Sequence, residues 1–469
     1  MLTQNANRDP FLSFWLRVRE FAVPPSMIET ATARRHAGDW AGACAAAGID
    51  VDLRLRSLAC SHGRELAARV RADLRHLVPD LLRWHLPRIA PHGLLRPGLT
   101  IPLARYDAEE PDGRDPVHLV VRTPPAWADA GQRISLALWD GSRSEAGDRR
   151  HPHPRPSRRF RLDLHRHLWD ARRTGELRIR SGADRPPVDR DDAMDPAVLD
   201  RVPPDRRCAA GRWAAEAALL LRAESRPTGT FAVRFGGRYR LLLELGPHGD
   251  GSGPHALRIA EASPDSAGSV PPVLPDAATW ALPDLELIRS GVFEAGRLHP
   301  LVVSSLLPDH VPAGAPRPAE ATGQPRLVEC RGAQHRIGLV GGVLSALDHD
   351  PAELHREELL AALTGTPMPC LQAIDEAHRR PDCLTGVRER LDHGDIEGAL
   401  AVVEGLLGPG AILRSGPLRD ELETAALRRI AYGLFRADLV GSGSGHPRPE
   451  FRHSRDRHPY RRPRHATFR

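Results

Sequence analysis

Few strings in this chain could carry chemistry, and each has a plainer structural use beside it. Asp348-His349-Asp350 is the best acid and base constellation, because it sits where a hairpin pattern ends and a helix pattern begins, and helix-end amides can hold a carboxylate there. No nucleophile accompanies it: G-x-S-x-G is missing, and Ser304 and Ser305 lie in an apolar stretch without a strained elbow, so Asp350 is expected to cap the following helix. Asp191-Asp192-Ala193-Met194-Asp195 matches the DDxxD of magnesium-diphosphate sites but lies in a proline-flanked linker, where Asp195-Pro196 reads as a helix start. Cys370, Asp375, His378 and Cys383 surround one helix, with a spacing unlike that of paired-cysteine zinc knuckles. The pairs His151/His153 and His165/His167 fall among 23 histidines, where close pairs arise by chance.

Gly236-Gly237 and the glycines at 338, 341 and 342 lack G-x-G-x-x-G followed by a helix and read as hairpin turns. The sequence therefore assigns no catalytic residue, no cofactor and no metal site, and leans away from an enzyme. A lysine-independent hydrolase or transferase stays as an alternative that needs Asp348, His349, His378 or His393 gathered around a pocket.

Composition narrows the chemistry further. All 66 basic side chains are arginine. With no lysine there is no amine for a Schiff base, a P-loop, a kinase strand or a Ser-Lys dyad. Arginine, alanine, glycine and proline dominate, and the composition resembles that of proteins from high-GC actinobacteria. The six cysteines are widely spaced with no C-x-x-C, which favours reduced thiols in a cytoplasm over a disulfide framework. No apolar run approaches the ~20 residues of a membrane span.

Charge is unevenly placed. Residues 441–469 hold eight arginines against Glu450 and Asp456, a surplus of six that equals the formal charge of the whole chain. This glycine-, proline- and arginine-rich stretch is expected to be disordered, and it offers Arg452, Arg455, Arg457, Arg461, Arg462 and Arg464 as nucleic-acid contacts. Residues 143–185 hold thirteen arginines against six acids. Phe160, Leu162 and Leu164 alternate with Arg159 and Arg161, and Leu177 and Ile179 alternate with Arg178 and Arg180. Two half-buried strands with arginine-bearing outer faces are predicted, a second nucleic-acid candidate set.

The elements that must position these groups follow from periodicity. Residues 1–25 read as an amphipathic segment, and 26–98 as a helical lobe with breaks at Gly38-Asp39 and Pro79. Residues 99–180 are strand-rich, 181–205 a linker, and 206–349 a mixed helix and hairpin region. Residues 350–440 form a second helical lobe before the tail. The fold class is α+β: an N-terminal helical lobe, central antiparallel strands and hairpins, a C-terminal helical lobe and a disordered basic tail.

One internal similarity stands out. Residues 36–47 and 392–403 share five of twelve positions: Gly38/Gly394, Asp39/Asp395, Gly42/Gly398, Ala43/Ala399 and Ala45/Ala401. Both resemble the turn and second helix of a tetratricopeptide-type helical hairpin, and that resemblance implies peptide or protein binding. The expected function is therefore that of an interaction protein binding a protein partner through its helical lobes. The alternative is a nucleic-acid-associated protein using the tail and the basic strands.

Overall fold

The computed structural model describes residues 9–107, 115–141, 151–184, 196–203, 206–226, 228–237, 239–246, 256–260, 270–310, 326–340, 343–364, 367–379, 384–408, 412–413, 415–437 and 439. The DDxxD string, Cys383 and the arginine tail lie outside them. The described residues fall into two compact units, the first running to Trp127 and resuming from Arg133 to 310, the second holding Ala128–Gln132 and everything from 326 on.

The first unit begins with helices. Asp9 accepts from the amides of Phe11 and Leu12 and Pro10 takes the first helical position, so α1 (Pro10–Arg17) starts with both of its usual signals. Phe11, Leu12, Phe14 and Trp15 are buried, which places the amphipathic N-terminal segment inside the core. After a π turn over Val18–Ala22 come α2 (Pro25–His36), α3 (Trp40–Ala46), β1 (Ile49–Val51), α4 (Leu55–His62), α5 (Arg64–His76) and α6 (Pro79–His85). Pro79 opens α6 as the proline break predicts.

The strands follow as β2 (Arg88–Ile89), β3 (Leu94–Leu95), β4 (Thr100–Tyr106), β5 (Val117–Arg122) and β6 (Ile134–Trp139). One sheet has the order β1-β6-β5-β4, antiparallel except for β1 on β6. Its inner face and helices α1 to α6 share a single core around Trp15, Trp84, Leu103, Leu119 and Leu136. Then come α7 (Leu177–Ser181), α8 (Pro196–Leu199) and α9 (Trp213–Ala223). An antiparallel sheet of β7 (Gly229–Arg234), β8 (Arg240–Gly246) and β9 (Ala256–Ile259) buries Phe231, Leu243 and Leu257 against Trp213 and Leu220 of α9. The unit closes with α10 (Asp276–Thr279), α11 (Pro283–Arg289) and α12 (Pro300–Leu306).

The two basic strands expected in this unit are corrected. Residues 159–165 form turns, with Leu164 N on Arg161 O and His165 N on Leu162 O, and residues 177–181 are the short helix α7. Alternating burial of Phe160 and Leu162 arises without a partner strand.

The second unit starts with an antiparallel sheet of β10 (Arg326–Cys330), β11 (Ala333–Val340) and β12 (Val343–Ala346). Five helices follow: α13 (Pro351–Thr364), α14 (Pro369–Arg379), α15 (Leu384–His393), α16 (Ile396–Leu407) and α17 (Pro417–Arg436). Ile337 and Leu344 of the sheet share a core with Ile374, Val387, Ala399 and Val403 of the helices. These strands therefore group with the C-terminal helices, and the expected 206–349 region divides.

Both glycine-aspartate segments are helical hairpins with one turn design. Gly38 and Gly394 take positive φ (77° and 86°), and the next residue, Asp39 or Asp395, caps the following helix through the amide of Gly42 (2.8 Å) or Gly398 (2.9 Å). An arginine five residues earlier, Arg34 or Arg390, bonds the same carboxylate. The whole is α+β, and no described helix is long and apolar enough to cross a membrane.

Candidate metal centre and apolar helix faces

The Asp348-His349-Asp350 string divides its labour. Asp348 binds Arg336 through the backbone amide (2.7 Å) and the guanidinium (2.7 Å to Nη2), and that hydrogen bonding brings its carboxyl down to about 2. Asp350 accepts from Ala352 N at 3.1 Å and caps α13, as its sequence predicts. With both carboxylates committed, the loop holds His349 against the end of β10, its ring stacked on His335 at 4.1 Å between centroids.

There it meets two thiols. Ligand atoms of Cys330, His349 and Cys370 all lie within 4.8 Å of one another. Cys330 ends β10 at the Arg331-Gly332 turn, where both residues take positive φ, and Cys370 stands in the first turn of α14. Arg331 ties that turn to α13 through Glu353 (2.6 Å) and Glu357 (2.5 Å). Both cysteines are fully buried, beside Ala346 and Met368. Burial, and next the hydrogen bond that its S–H donates to the Cys330 sulfur, push the Cys370 thiol up to about 11. The His349 side chain is 5% exposed, its Nδ1 lies 3.9 Å from Glu353, and its Nε2 has no hydrogen-bond partner among the described residues. Two thiols and an imidazole are donors for a borderline or soft metal ion.

The metal reading of the sequence held one of these three, Cys370. It paired Cys370 with Asp375, His378 and Cys383 along one helix, whereas the partners come from a strand end and a loop. His378 lies in α14; His393, buried at the end of α15 near Glu389, stands outside the cluster. The signal that could have found Cys330 is the β10 strand, which brings it back to the loop at 347–350.

Several of the first unit's polar groups are held in pairs. Among the nucleic-acid candidates, Arg159 pairs with Asp276 (2.6 Å), Arg161 with Asp163 (2.7 Å) and Glu224 (3.0 Å), and Arg180 with Glu216, while Arg178 is exposed. His151 Nε2 faces Thr123 O at 3.0 Å, and His165 Nε2 faces Glu216 at 3.2 Å. Ser304 and Ser305 hydroxyls both donate to backbone carbonyls. Ser61, His62 and Asp140 line up, at 2.8 Å and 3.4 Å, a set the sequence did not suggest. Yet the Ser61 hydroxyl donates to Ser57 O at 3.0 Å, so its proton is not held for His62 and no activated nucleophile results.

Two helices of the second unit each expose several apolar side chains together. On α17, Leu427, Ile430 and Leu434 recur at helical spacing and are exposed, with Ala426, Arg429 and Gly433 exposed beside them, while Leu418 and Tyr432 are buried. On α13, Leu359, Leu360 and Leu363 are exposed. No protein-family model matches the chain, and no curated protein or solved structure is significantly similar to it.

Proposed function

We propose that this protein is a non-enzymatic interaction protein of the cytoplasm whose C-terminal unit docks an amphipathic helix of a partner protein on α17. The observation that carries this is the Leu427, Ile430 and Leu434 stripe, a continuous apolar face left in water on a twenty-residue helix. Ala426 and Gly433 on the same side permit close approach of a second backbone, and the exposed Arg429 favours a partner helix with acidic flanks. The Gly394-Asp395 hairpin of the same unit, tied to α17 by Arg428 on Asp392 (2.6 Å), backs such a face. The free cysteines suit a reducing compartment.

A photocrosslinking residue at position 430 of the full chain, expressed in its own cell, tests this. The expected result is a crosslink to one heterologous protein, through a peptide with apolar residues at helical spacing and flanking Asp or Glu. Leu427→Glu with Leu434→Glu should lower that crosslink at least about tenfold. Crosslinks to a second copy of this chain, to nucleic acid, or to nothing would overturn the reading.

A further inference from the structure

We propose that Cys330, His349 and Cys370 bind a zinc(II) ion that fastens the β10–β11 turn, the loop before α13 and the first turn of α14 to one another. Three donors from three separate elements converge within 4.8 Å. Tetrahedral zinc with sulfur at about 2.3 Å sets sulfurs about 3.8 Å apart, so small side-chain rotations close the site. The buried Nε2 of His349 has no hydrogen-bond partner among the described residues. Such an atom is costly to leave unsatisfied, and a metal ion satisfies it.

Charge points the same way. Zinc(II), two thiolates and one neutral imidazole sum to zero, which suits a site whose sulfurs are fully buried, whereas a monovalent ion would leave a net negative charge there. Binding forms two Zn–S bonds and one Zn–N bond, and two S–H protons leave to solvent; no electron moves. Glu353, held by Arg331, stands on the Nδ1 side of His349, where a carboxylate orients a metal-bound imidazole. Three protein ligands leave the fourth position to water. A Cys330–Cys370 disulfide would use both sulfurs and leave Nε2 unsatisfied.

The test uses the full chain, purified under reducing conditions and stripped of metal. Titration with zinc against a chromophoric chelator should show one ion per chain, and a weakly buffered solution near neutral pH should gain about two protons per ion, one from each thiol. Cobalt(II) in place of zinc should give thiolate-to-metal charge-transfer absorption in the near ultraviolet. Cys370→Ser and His349→Ala should each weaken zinc binding at least about tenfold, and Cys60→Ser, at an exposed thiol, should not. No bound zinc, no proton release, a cobalt spectrum without thiolate bands, or a Cys330–Cys370 disulfide in the freshly isolated protein would each overturn the assignment. The proton count and the cobalt spectrum use the wild-type chain, so a misfolded variant cannot decide the outcome.

Discussion

Arg19 is the residue on which the first unit's interior turns. Its guanidinium is buried between the face of Trp84, 3.9 Å from the ring centroid, and the Asp284 carboxylate at 3.3 Å, while Trp84 Nε1 donates to the other Asp284 oxygen at 2.8 Å. Burial disfavours the charged form of both groups, pushing Asp284 up and Arg19 down, and each charge offsets part of the other's burial cost. Removing one partner strands the other. Asp284→Ala should therefore destabilise the protein by about 3–5 kcal/mol in urea unfolding, while Arg19→Met with Asp284→Leu, which removes both charges, should cost far less. A double-mutant cycle with a coupling near zero would contradict the pairing.

At the scale of elements, the two helical hairpins show what a glycine is for when it sits beside a cap. A Cβ on Gly42 would fall on the Asp39 carboxylate, and one on Gly398 on that of Asp395, so alanine at either position pushes the cap off its amide. The expected loss is about 1 kcal/mol at each. Gly386 lies inside α15, where a Cβ meets nothing within 4 Å, and Gly386→Ala should stabilise by about 0.5–1 kcal/mol through helix propensity. Thermal unfolding of the three variants distinguishes the two signs.

These turns were legible because local chemistry dictates them: glycine supplies positive φ and aspartate caps within three residues. The Gly236-Gly237 hairpin and the Pro79 break were legible for the same reason. The pattern at 159–165 misled because alternation reports which side chains are buried and says nothing of what the backbone bonds to; Arg159 and Arg161 are held by Asp276 and Asp163, and the amides close turns. The Cys330, His349 and Cys370 cluster was legible only in part. Cys370 and His349 belonged to readable elements, but their meeting with Cys330 depends on strand register, which the spacing of three distant residues does not encode.

Across the whole molecule, carboxylates held by arginine shape how stability answers to acid. Outside residues 441–469 the chain holds equal numbers of arginines and acids, 58 of each. Many of those charges are spent on each other in the first unit: Asp73 and Asp170 with Arg166 and Arg172, and Glu216 with Arg180 and His165. Burial alone would raise these three carboxyls, but the hydrogen bonds they accept outweigh it and hold Asp73 and Asp170 below their ordinary value and Glu216 down to about 2. Arginine does not titrate, so acid can break these pairs only from the carboxylate side. A carboxyl lowered from 4.5 to about 2 contributes on the order of 3 kcal/mol, present in full above 4.5 and lost as pH falls toward 2. Denaturant unfolding from pH 7 to pH 2 should therefore show stability falling below about pH 4.5, and Glu216→Gln should flatten that fall while lowering stability at pH 7. An unchanged acid slope in Glu216→Gln would mean that this pair does not govern the response, and that Asp73 and Asp170 carry it instead.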